Sequence, residues 1–336
     1  MTPRKPTIRD IARRLGVNAS TVSRALSGSS LVKEDTRRRI LREARRCGYE
    51  NNPIATSLRK GVTETVGIVV PRINRQFFAN VISHAERELN QAGYSVIICQ
   101  TSERLQDEKR VLKALIRSQV AGIIMSHSIE DPDSSHIRAI VPSRIKLVQF
   151  DRVFYDLPGA KIVNDNFRGG YEATRHLIEK GYRKIGMLAG YMNTDLYRER
   201  LRGYKQALLD AGRPVDEDII FLDTIVRETG FENGLKAIDK GCDALYSAGD
   251  FSALGAMEAA RERGLRCPDR FGIVGTANEI FDALMSPSMS SLELHPDVLG
   301  QLAARSFLEA VRTGGELSSA TVEVNLKVRE SSSGFR

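Results

Sequence analysis

A run of short polar side chains followed by one arginine stands near the start of the chain, at residues 18–24. Arg24 can form a forked pair of hydrogen bonds with a guanine edge, while Ala19 and Ser20 can contact base edges or a thymine methyl group. Hydroxyl and amide groups nearby can donate to phosphate oxygens: Thr7, Asn18, Thr21 and Ser23. The alternative for the serines and threonines is helix capping, and for Arg24 it is a solvated side chain.

A second set of candidate residues follows apolar runs that are typical of buried strands. Ligands of doubly wound sheets bind beyond the carboxyl ends of the strands, so side chains placed there are candidates for ligand contact. The set comprises Phe77, Phe78, Asp151, Arg152, Asp165, Arg200, Asp250 and Asn278. Arg200 can make a forked contact with hydroxyls or a carboxylate, and the two phenylalanine rings can stack on a ligand. For Asp151 and Asp165 the alternative is turn capping.

The sequence contains no common catalytic or metal-binding signature. It lacks a G-x-G-x-x-G motif after a strand, a phosphate-binding loop, H-E-x-x-H and a G-x-S-x-G nucleophile elbow. The five histidines and four cysteines are scattered and form no pair at a metal-ligand spacing. We therefore expect no enzyme activity, no bound metal and no cofactor.

Three short helices are predicted to position the first set of residues. Thr7 and Asp10 form a capping box ahead of apolar residues at helical spacing, and Gly16 is placed to end that helix. A second helix is predicted over residues 18–26 and a third over residues 33–47. A tight turn between the first two helices matches a helix-turn-helix motif.

The positive charge of the chain is concentrated at its start. Residues 1–60 carry a net charge of +10, the rest of the chain carries −2, and the total is +8. This division is expected for a nucleic-acid-binding module attached to a nearly neutral globular body.

From Thr65 onward, short apolar runs alternate with amphipathic stretches such as residues 77–91 and 104–118. Near-continuous apolar strands separated by helices predict an α/β fold with parallel sheets covered on both faces. About 270 residues favour two similar halves, with a junction near residues 163–170. We predict a headpiece at 1–50, a hinge at 51–63 and a body at 64–332, whose halves are 64–164 plus the C-terminal segment, and 165–290.

Residues 7–28, TIRDIARRLGVNASTVSRALSG, resemble the DNA-binding headpiece of the lactose-repressor (LacI/GalR) family. Residues 65–331 resemble that family's effector domain, which is similar to periplasmic binding proteins. The resemblance implies a transcriptional regulator, with repression as the expected direction. It also implies a homodimer on pseudo-palindromic double-stranded DNA, controlled by a sugar-like effector.

The family's hinge maps onto residues 52–59. There the resemblance implies a short helix that pairs with its copy in the minor groove, with Leu58 wedged between base steps. The alternative is that Leu58 packs against the body. Asn51 and Thr56 depart from the proline and arginine usual at these positions.

Two further departures fall in the expected effector site. Ala277 stands where the family often has aspartate, and Gly249 where it often has asparagine. Either the ligand differs from the usual sugars, or Glu279 supplies the missing carboxylate.

A solute-binding protein and an enzyme are the alternatives to a regulator. A solute-binding protein would need a signal peptide, whereas the first twenty residues are charged throughout, and an enzyme should carry the missing motifs. No apolar run reaches the roughly 18 to 20 residues of a membrane helix, so we expect no membrane partner and a cytoplasmic protein. The C-terminus has no leucine heptads, which leaves a dimer as the expected state.

Overall fold

A computed structural model describes residues 6–26, 29–49, 63–130, 133–142 and 144–334 of the chain. The chain divides after Thr63 into two units, Met1–Thr63 and Glu64–Arg336. The predicted hinge helix at residues 52–59, including Leu58, lies outside the described residues.

The first unit contains three helices: α1 (Ile8–Leu15), α2 (Ala19–Leu26) and α3 (Glu34–Arg46). The predicted capping box is confirmed, since the Asp10 amide donates to Thr7 Oγ1 and the Thr7 amide donates to Asp10 Oδ2. Gly16 ends α1 with a φ of 66°, in the left-handed region that glycine adopts without strain. Helix α3 begins one residue later than predicted, because Lys33 is its cap.

These helices enclose a small core and share one buried acid. Ile11, Val22 and Ile40 are fully buried between them. Glu43 of α3 accepts hydrogen bonds from Arg14 of α1 at 3.1 Å and from Arg46 Nε at 2.8 Å. The hydrogen bonds from these two arginines lower the pKa of Glu43. The ion pair therefore joins the first and third helices on either side of α2.

The second unit begins with five strands and three helices. They are β1 (Thr65–Val70), α4 (Gln76–Gln91), β2 (Ser95–Gln100), α5 (Leu105–Arg117), β3 (Gly122–Met125), α6 (Ser135–Ile140), β4 (Lys146–Phe150) and β5 (Ala160–Asn164). The strands are largely buried along their length, except β2, which lies at the sheet edge with several exposed side chains. The chain then crosses into a second, similar half.

The second half repeats the alternation. Its elements are α7 (Asn166–Glu179), β6 (Ile185–Leu188), α8 (Asp195–Asp210), β7 (Ile220–Phe221), α9 (Arg227–Asp239), β8 (Ala244–Ser247), α10 (Asp250–Glu262), β9 (Gly272–Thr276) and β10 (Ser290–Glu293). The chain closes with α11 (Pro296–Thr313), β11 (Ala320–Val322) and β12 (Asn325–Lys327).

Each half is built on a six-stranded sheet. The strand orders are β11-β5-β4-β3-β1-β2 and β12-β10-β9-β8-β6-β7, so the two sheets have equivalent topology. Neighbouring strands are parallel except for the antiparallel pair β10 and β12. Separate clusters of buried side chains lie on both faces of each sheet. The predicted α/β fold with two doubly wound halves is confirmed.

The C-terminal segment is shared between the halves rather than joined to the first half alone. Helix α11 packs on the first sheet through Leu299 and Phe307, and Val322 of β11 pairs with Asn164 of β5. Three residues later, Asn325 of β12 pairs with β10 in the second sheet. The chain therefore crosses between the halves a third time after β11.

Candidate functional site

Charged and aromatic side chains from both halves meet where the strands of the two sheets end. Asp151 and Arg152 directly follow β4, and Glu103 lies shortly after β2. Tyr197 and Arg200 lie one turn apart on α8 of the second half. The charges of the other four groups all act on the Tyr197 hydroxyl, and the Arg200 guanidinium carbon lies 5.6 Å from the centre of its ring, so the five side chains lie near one another.

Hydrogen bonds to residues of the first half fix the Arg152 side chain. Its Nη1 donates to Glu103 Oε2 at 2.6 Å and to the His127 carbonyl at 3.4 Å, and its Nη2 donates to Glu103 Oε1 at 3.3 Å. Burial lowers the pKa of Arg152, but the negative charges of Glu103, Tyr197 and Asp151 and the hydrogen bond to Glu103 together outweigh burial and raise that pKa. Arg152 Nε is buried and makes no hydrogen bond to the described residues. One donor is thus left for a ligand.

Arg200 is fixed in the same way from the second half. Its Nε donates to Asn166 Oδ1 and its Nη1 donates to the Ala248 carbonyl, both at 2.9 Å. Only 5% of the residue is exposed. These bonds use Nε and Nη1, and Nη2 has no hydrogen-bond partner among the described residues. The guanidinium carbon lies 5.6 Å from the centre of the Tyr197 ring.

Two glycines set the backbone position of α8 and therefore of Arg200. A Cβ atom at Gly170 of α7 would lie 2.1 Å from the Arg200 carbonyl oxygen. A Cβ atom at Gly203 of α8 would lie 2.0 Å from the Phe167 carbonyl oxygen. Helices α7 and α8 approach this closely only because both positions lack a side chain.

Asp151 supplies the acceptor of the cluster. Its backbone has a φ of 59°, an uncommon conformation for a residue other than glycine. Burial raises the pKa of its carboxyl group, and the positive charges of Arg152 and Arg200 act in the opposite direction. Its Oδ2 accepts a weak 3.4 Å hydrogen bond from Ser126 Oγ and lies 4.0 Å from Arg152 Nε, too far for a hydrogen bond. The carboxylate can therefore accept further hydrogen bonds.

Three contacts join the two halves across the cleft. They are Arg75 over the Phe251 ring at 3.7 Å from its centre, the Ile280 amide to Gln76 Oε1 at 2.9 Å, and Asn193 Nδ2 to the Ile129 carbonyl at 2.6 Å. The structure therefore shows the two halves closed onto each other at this edge.

The rings of Phe77 and Phe78 were predicted to face a ligand, and the structure places them elsewhere. Both belong to the core between α4 and the first sheet and are less than a tenth exposed. The Phe78 ring meets Phe150 edge to face, with 6.3 Å between centres. They are core residues because α4 turns this face toward the sheet.

Asp165 and Asn278 also have structural partners. Asp165 caps α7 by accepting from the Arg168 amide at 2.9 Å, the alternative named above for this residue. Asn278 donates to Glu293 Oε2 at 2.7 Å and accepts from Arg329 Nη2 at 2.6 Å. Neither side chain joins the cluster around Tyr197.

Asp250 lies in a buried acidic group rather than at the ligand-facing surface. Its carboxylate accepts from Ser291 Oγ at 2.7 Å and from the Glu279 amide at 3.0 Å. Burial raises the pKa of both Asp250 and the neighbouring Asp282. Burial, and then the charge of Asp250, raise the pKa of Glu279 to about 7. Asp250 therefore organises the turn after β9.

Apart from Thr7 and Leu58, the predicted DNA-contacting residues run along α2, from Asn18 just before its first residue to Arg24 in its last turn. Asn18, Ala19, Ser20 and Arg24 are exposed, and Thr21 and Ser23 are half-buried. The Thr7 hydroxyl donates to Asp10 Oδ2 at 2.6 Å while capping α1, so its hydrogen is already used inside the headpiece.

Comparison with known families matches both units. The model described as "Bacterial regulatory proteins, lacI family" matches residues 7–52, and "Periplasmic binding proteins and sugar binding domain of LacI family" matches residues 63–328. The chain belongs to the LacI family. It is accordingly a DNA-binding transcriptional regulator and not an enzyme.

Individual relatives agree with this membership. The chain is 30% identical over 308 residues to the HTH-type transcriptional repressor PurR of Actinobacillus pleuropneumoniae, covering 91% of each. It is 30% identical over 290 residues to the HTH-type transcriptional regulator DegA of Bacillus subtilis, covering 86% of each.

Solved LacI-family structures have the same architecture. A CelR–cellobiose complex is 26% identical, with a TM-score of 0.73, and the match covers 97% of this chain and 99% of that one. The lac repressor dimer bound to operator and an anti-inducer is 21% identical, with a TM-score of 0.81 and coverage of 98% and 99%. The second likeness establishes the fold.

Three residues of the cleft were not found from the sequence: Glu103, Tyr197 and Arg75. Glu103 follows the carboxyl end of β2, where no candidate residue was predicted. Tyr197 precedes Arg200 by three residues on one helix face, a spacing that could have indicated it. Arg75 gave no local signal, since its partner Phe251 lies in the other half.

Within the described part of the chain, no group of three or more histidine, cysteine or acidic residues could hold a metal ion. Nor does any helix there have the length and apolar character needed to cross a membrane.

Proposed function

We propose that this LacI-family regulator binds a pseudo-palindromic operator as a homodimer and responds to a polyhydroxylated, sugar-like ligand held in the cleft around Tyr197. The observation that carries the proposal is the convergence of Asp151, Arg152 and Arg200 on that ring. All three retain hydrogen-bonding capacity in a cleft that both halves of the larger unit enclose.

This donor and acceptor set suits adjacent hydroxyl groups. A carboxylate accepts from one hydroxyl while arginine donors reach its neighbour, and both kinds of bond are charge-assisted. Asp151 supplies the acceptor, while Arg152 Nε and Arg200 Nη2 supply donors. The Tyr197 ring offers an apolar face beside them. A ligand with several hydroxyl groups on a compact frame would satisfy these groups together.

The headpiece supports specific reading of duplex DNA. Helix α2 exposes Asn18, Ala19 and Ser20 at its N-terminal end, the part of a recognition helix that enters the major groove, and it exposes Arg24 in its last turn. Arg24 would contact a guanine edge, and the half-buried Thr21 and Ser23 would contact phosphates. We leave Thr7 out of this set because its hydroxyl caps α1. Leu58 stays a prediction from the family's hinge.

The ligand would act by changing the balance between open and closed arrangements of the cleft. Only a ligand that contacts both halves can favour closure, and Arg152 and Arg200 belong to different halves. Any change in closure would be transmitted to the paired headpieces and so to operator affinity. The direction of the response depends on which arrangement binds DNA better.

A homodimer would cover the exposed apolar side chains of the larger unit. Ile97 and Ile98 on the edge strand β2 are 39% and 49% exposed, and Ile280 and Leu284 are 68% and 78% exposed. Exposed apolar groups of this size mark association surfaces in soluble proteins. Because its proposed target is chromosomal DNA, we also propose a cytoplasmic location.

The test begins with the full-length protein and sheared genomic DNA at near-physiological salt, followed by sequencing of the selected fragments. One enriched pseudo-palindrome is expected, and enrichment of no sequence would overturn the regulator proposal. Affinity for that operator is then measured with a panel of sugars. Arg200→Met should abolish the sugar response of the wild type, while Arg202→Met should preserve it.

Arg202 is a matched control because it lies on the same helix with 64% of its side chain exposed, against 5% for Arg200. Equal sugar responses in the two variants would contradict the assignment of the cleft. Loss of the response in both would point to damage of α8 rather than to a lost ligand contact.

A further inference from the structure

The segment between β1 and α4 carries two arginines at the same cleft. Arg72 is exposed, and Arg75 reaches across to the Phe251 ring in the second half, with its guanidinium carbon 3.7 Å from the ring centre. The charges of Glu103 and Tyr197 act on Arg75, which places it next to the cluster described above. A ligand seated on Tyr197 would therefore also lie near these arginines.

Arg75 has no carboxylate partner at ion-pair distance among the described residues. The acidic groups whose charges act on it are Glu279 and Glu103. Glu103 is already engaged, since Arg152 binds it at 2.6 Å and the Ile129 amide donates to it at 3.0 Å. Arg72 Nε lies only 3.8 Å from that same carboxylate, so a single acid serves both Arg152 and Arg72.

Glu279 does not fill the role of counterion either. It is only 8% exposed, and burial together with the charge of Asp250 raises its pKa to about 7. A carboxyl group with this pKa carries only part of its charge at neutral pH. Burial and the repulsion of Arg72 lower the pKa of Arg75, and the attraction of Glu279 and Glu103 does not offset them.

The N-terminus of α4 adds to the positive potential of Arg72 and Arg75. Arg75 is its N-cap residue and provides no side-chain hydrogen bond to the first turn, which contains no acidic residue. The backbone amides of a sixteen-residue helix therefore end beside two arginines without any negative group of the first turn to offset them. Arginine forks recognise carboxylate and phosphate groups through paired hydrogen bonds.

We propose that the ligand of the cleft is anionic, with a carboxylate or phosphate group bound by Arg75 and Arg72. This inference rests on the proposed function, because it assigns the charge of the same ligand. Hydroxyl groups would bind the cluster around Tyr197, and the anionic group would bind at the start of α4. Sugar acids and sugar phosphates share this chemistry.

The first experiment uses inorganic phosphate on the full-length protein, with ionic strength held constant by chloride. A site with a Kd of about 1 mM, filled at 10 mM phosphate, raises the melting temperature by about 3 °C. Arg75→Gln should remove this rise and Arg75→Lys should retain part of it. Arg117→Gln, the same charge change at an exposed position of α5, should retain all of it. An equal rise in the Arg75→Gln and Arg117→Gln variants would overturn the inference.

The second experiment compares glucose, glucuronate and glucose 6-phosphate, together with the corresponding galactose and ribose series. We expect one anionic member to bind at least tenfold tighter than its neutral counterpart, and Arg75→Gln to reduce that preference to below threefold. Which anion binds identifies the group as carboxylate or phosphate. Neutral sugars that bind as tightly as both anions would overturn the inference. The regulator proposal is tested separately, since operator selection requires no ligand.

Discussion

Replacing Gly170 with alanine should displace α8 and with it Arg200. The new Cβ atom would lie 2.1 Å from the Arg200 carbonyl oxygen, whereas an ordinary carbon–oxygen contact is about 3.3 Å, so the helices must separate by about 1 Å. Strain of this kind lowers the free energy of unfolding by about 3 kcal/mol, and the greater helix propensity of alanine raises it by about 1 kcal/mol. The 2.9 Å bond from Arg200 Nη1 to Ala248 would lengthen beyond hydrogen-bonding range. We expect the free energy of unfolding to fall by about 2 kcal/mol in total.

Urea unfolding followed by circular dichroism is the suitable assay, since the chain contains no tryptophan. Gly249→Ala is the control, because its new Cβ would lie 3.7 Å from Ser252 Oγ, an ordinary van der Waals distance. The control should change the unfolding free energy by less than about 1 kcal/mol. If the unfolding free energy of the Gly170→Ala variant lies within about 0.5 kcal/mol of the wild-type value, the close approach at this glycine does not set the position of Arg200.

Three further predictions concern the headpiece and the buried acids. Arg24→Ala should weaken binding to the selected operator by about 10- to 100-fold in fluorescence anisotropy, while binding to unrelated DNA changes little; equal losses on both DNAs would assign Arg24 to phosphate contact. Ile11→Ala, at a fully buried position, should lower the unfolding free energy of the headpiece by about 3 kcal/mol. The variant should lose operator binding while the melting temperature of the larger unit stays unchanged. Operator binding at wild-type affinity would contradict this prediction. Asp282 has a pKa raised by burial and then by Asp250, so the folded state holds a proton that the unfolded chain releases near pH 4. Stability should therefore fall as the pH rises from about 5 toward 9, by up to about 1.4 kcal/mol per pH unit, and Asp282→Asn should flatten this slope in urea titrations; parallel slopes would show that the proton is held elsewhere.

Several features of the fold follow from signals that are local in the sequence. The Thr7–Asp10 capping box and the left-handed Gly16 define α1 through contacts within four residues. The strands of the larger unit could be predicted where they are nearly continuously apolar, as in β1 and β3. Strand β10 was missed because its buried residues include Ser290 and Ser291, whose hydroxyls find partners far away in the sequence.

The residues of the candidate cleft could also be predicted only where the signal is local in the sequence. Polar residues that directly follow strands, such as Asp151 and Arg152, could be found because parallel strands end at a common edge. Their neighbours of the same type have other partners: Asp165 caps α7 and Asn278 binds Arg329. A side chain after a strand satisfies either its own turn or a ligand, and the sequence pattern alone does not distinguish the two.

The sequence by itself determined the family, the basic headpiece and the two α/β halves, because helix caps, charge and strand hydrophobicity act over a few neighbouring residues. Only the tertiary structure decided which side chains meet across the cleft. Arg75 and Phe251 are brought together by three crossings of the chain between the halves, and the approach of α8 to Gly170 fixes Arg200. These contacts depend on the packing of elements that are distant in sequence, and no local pattern encodes that packing.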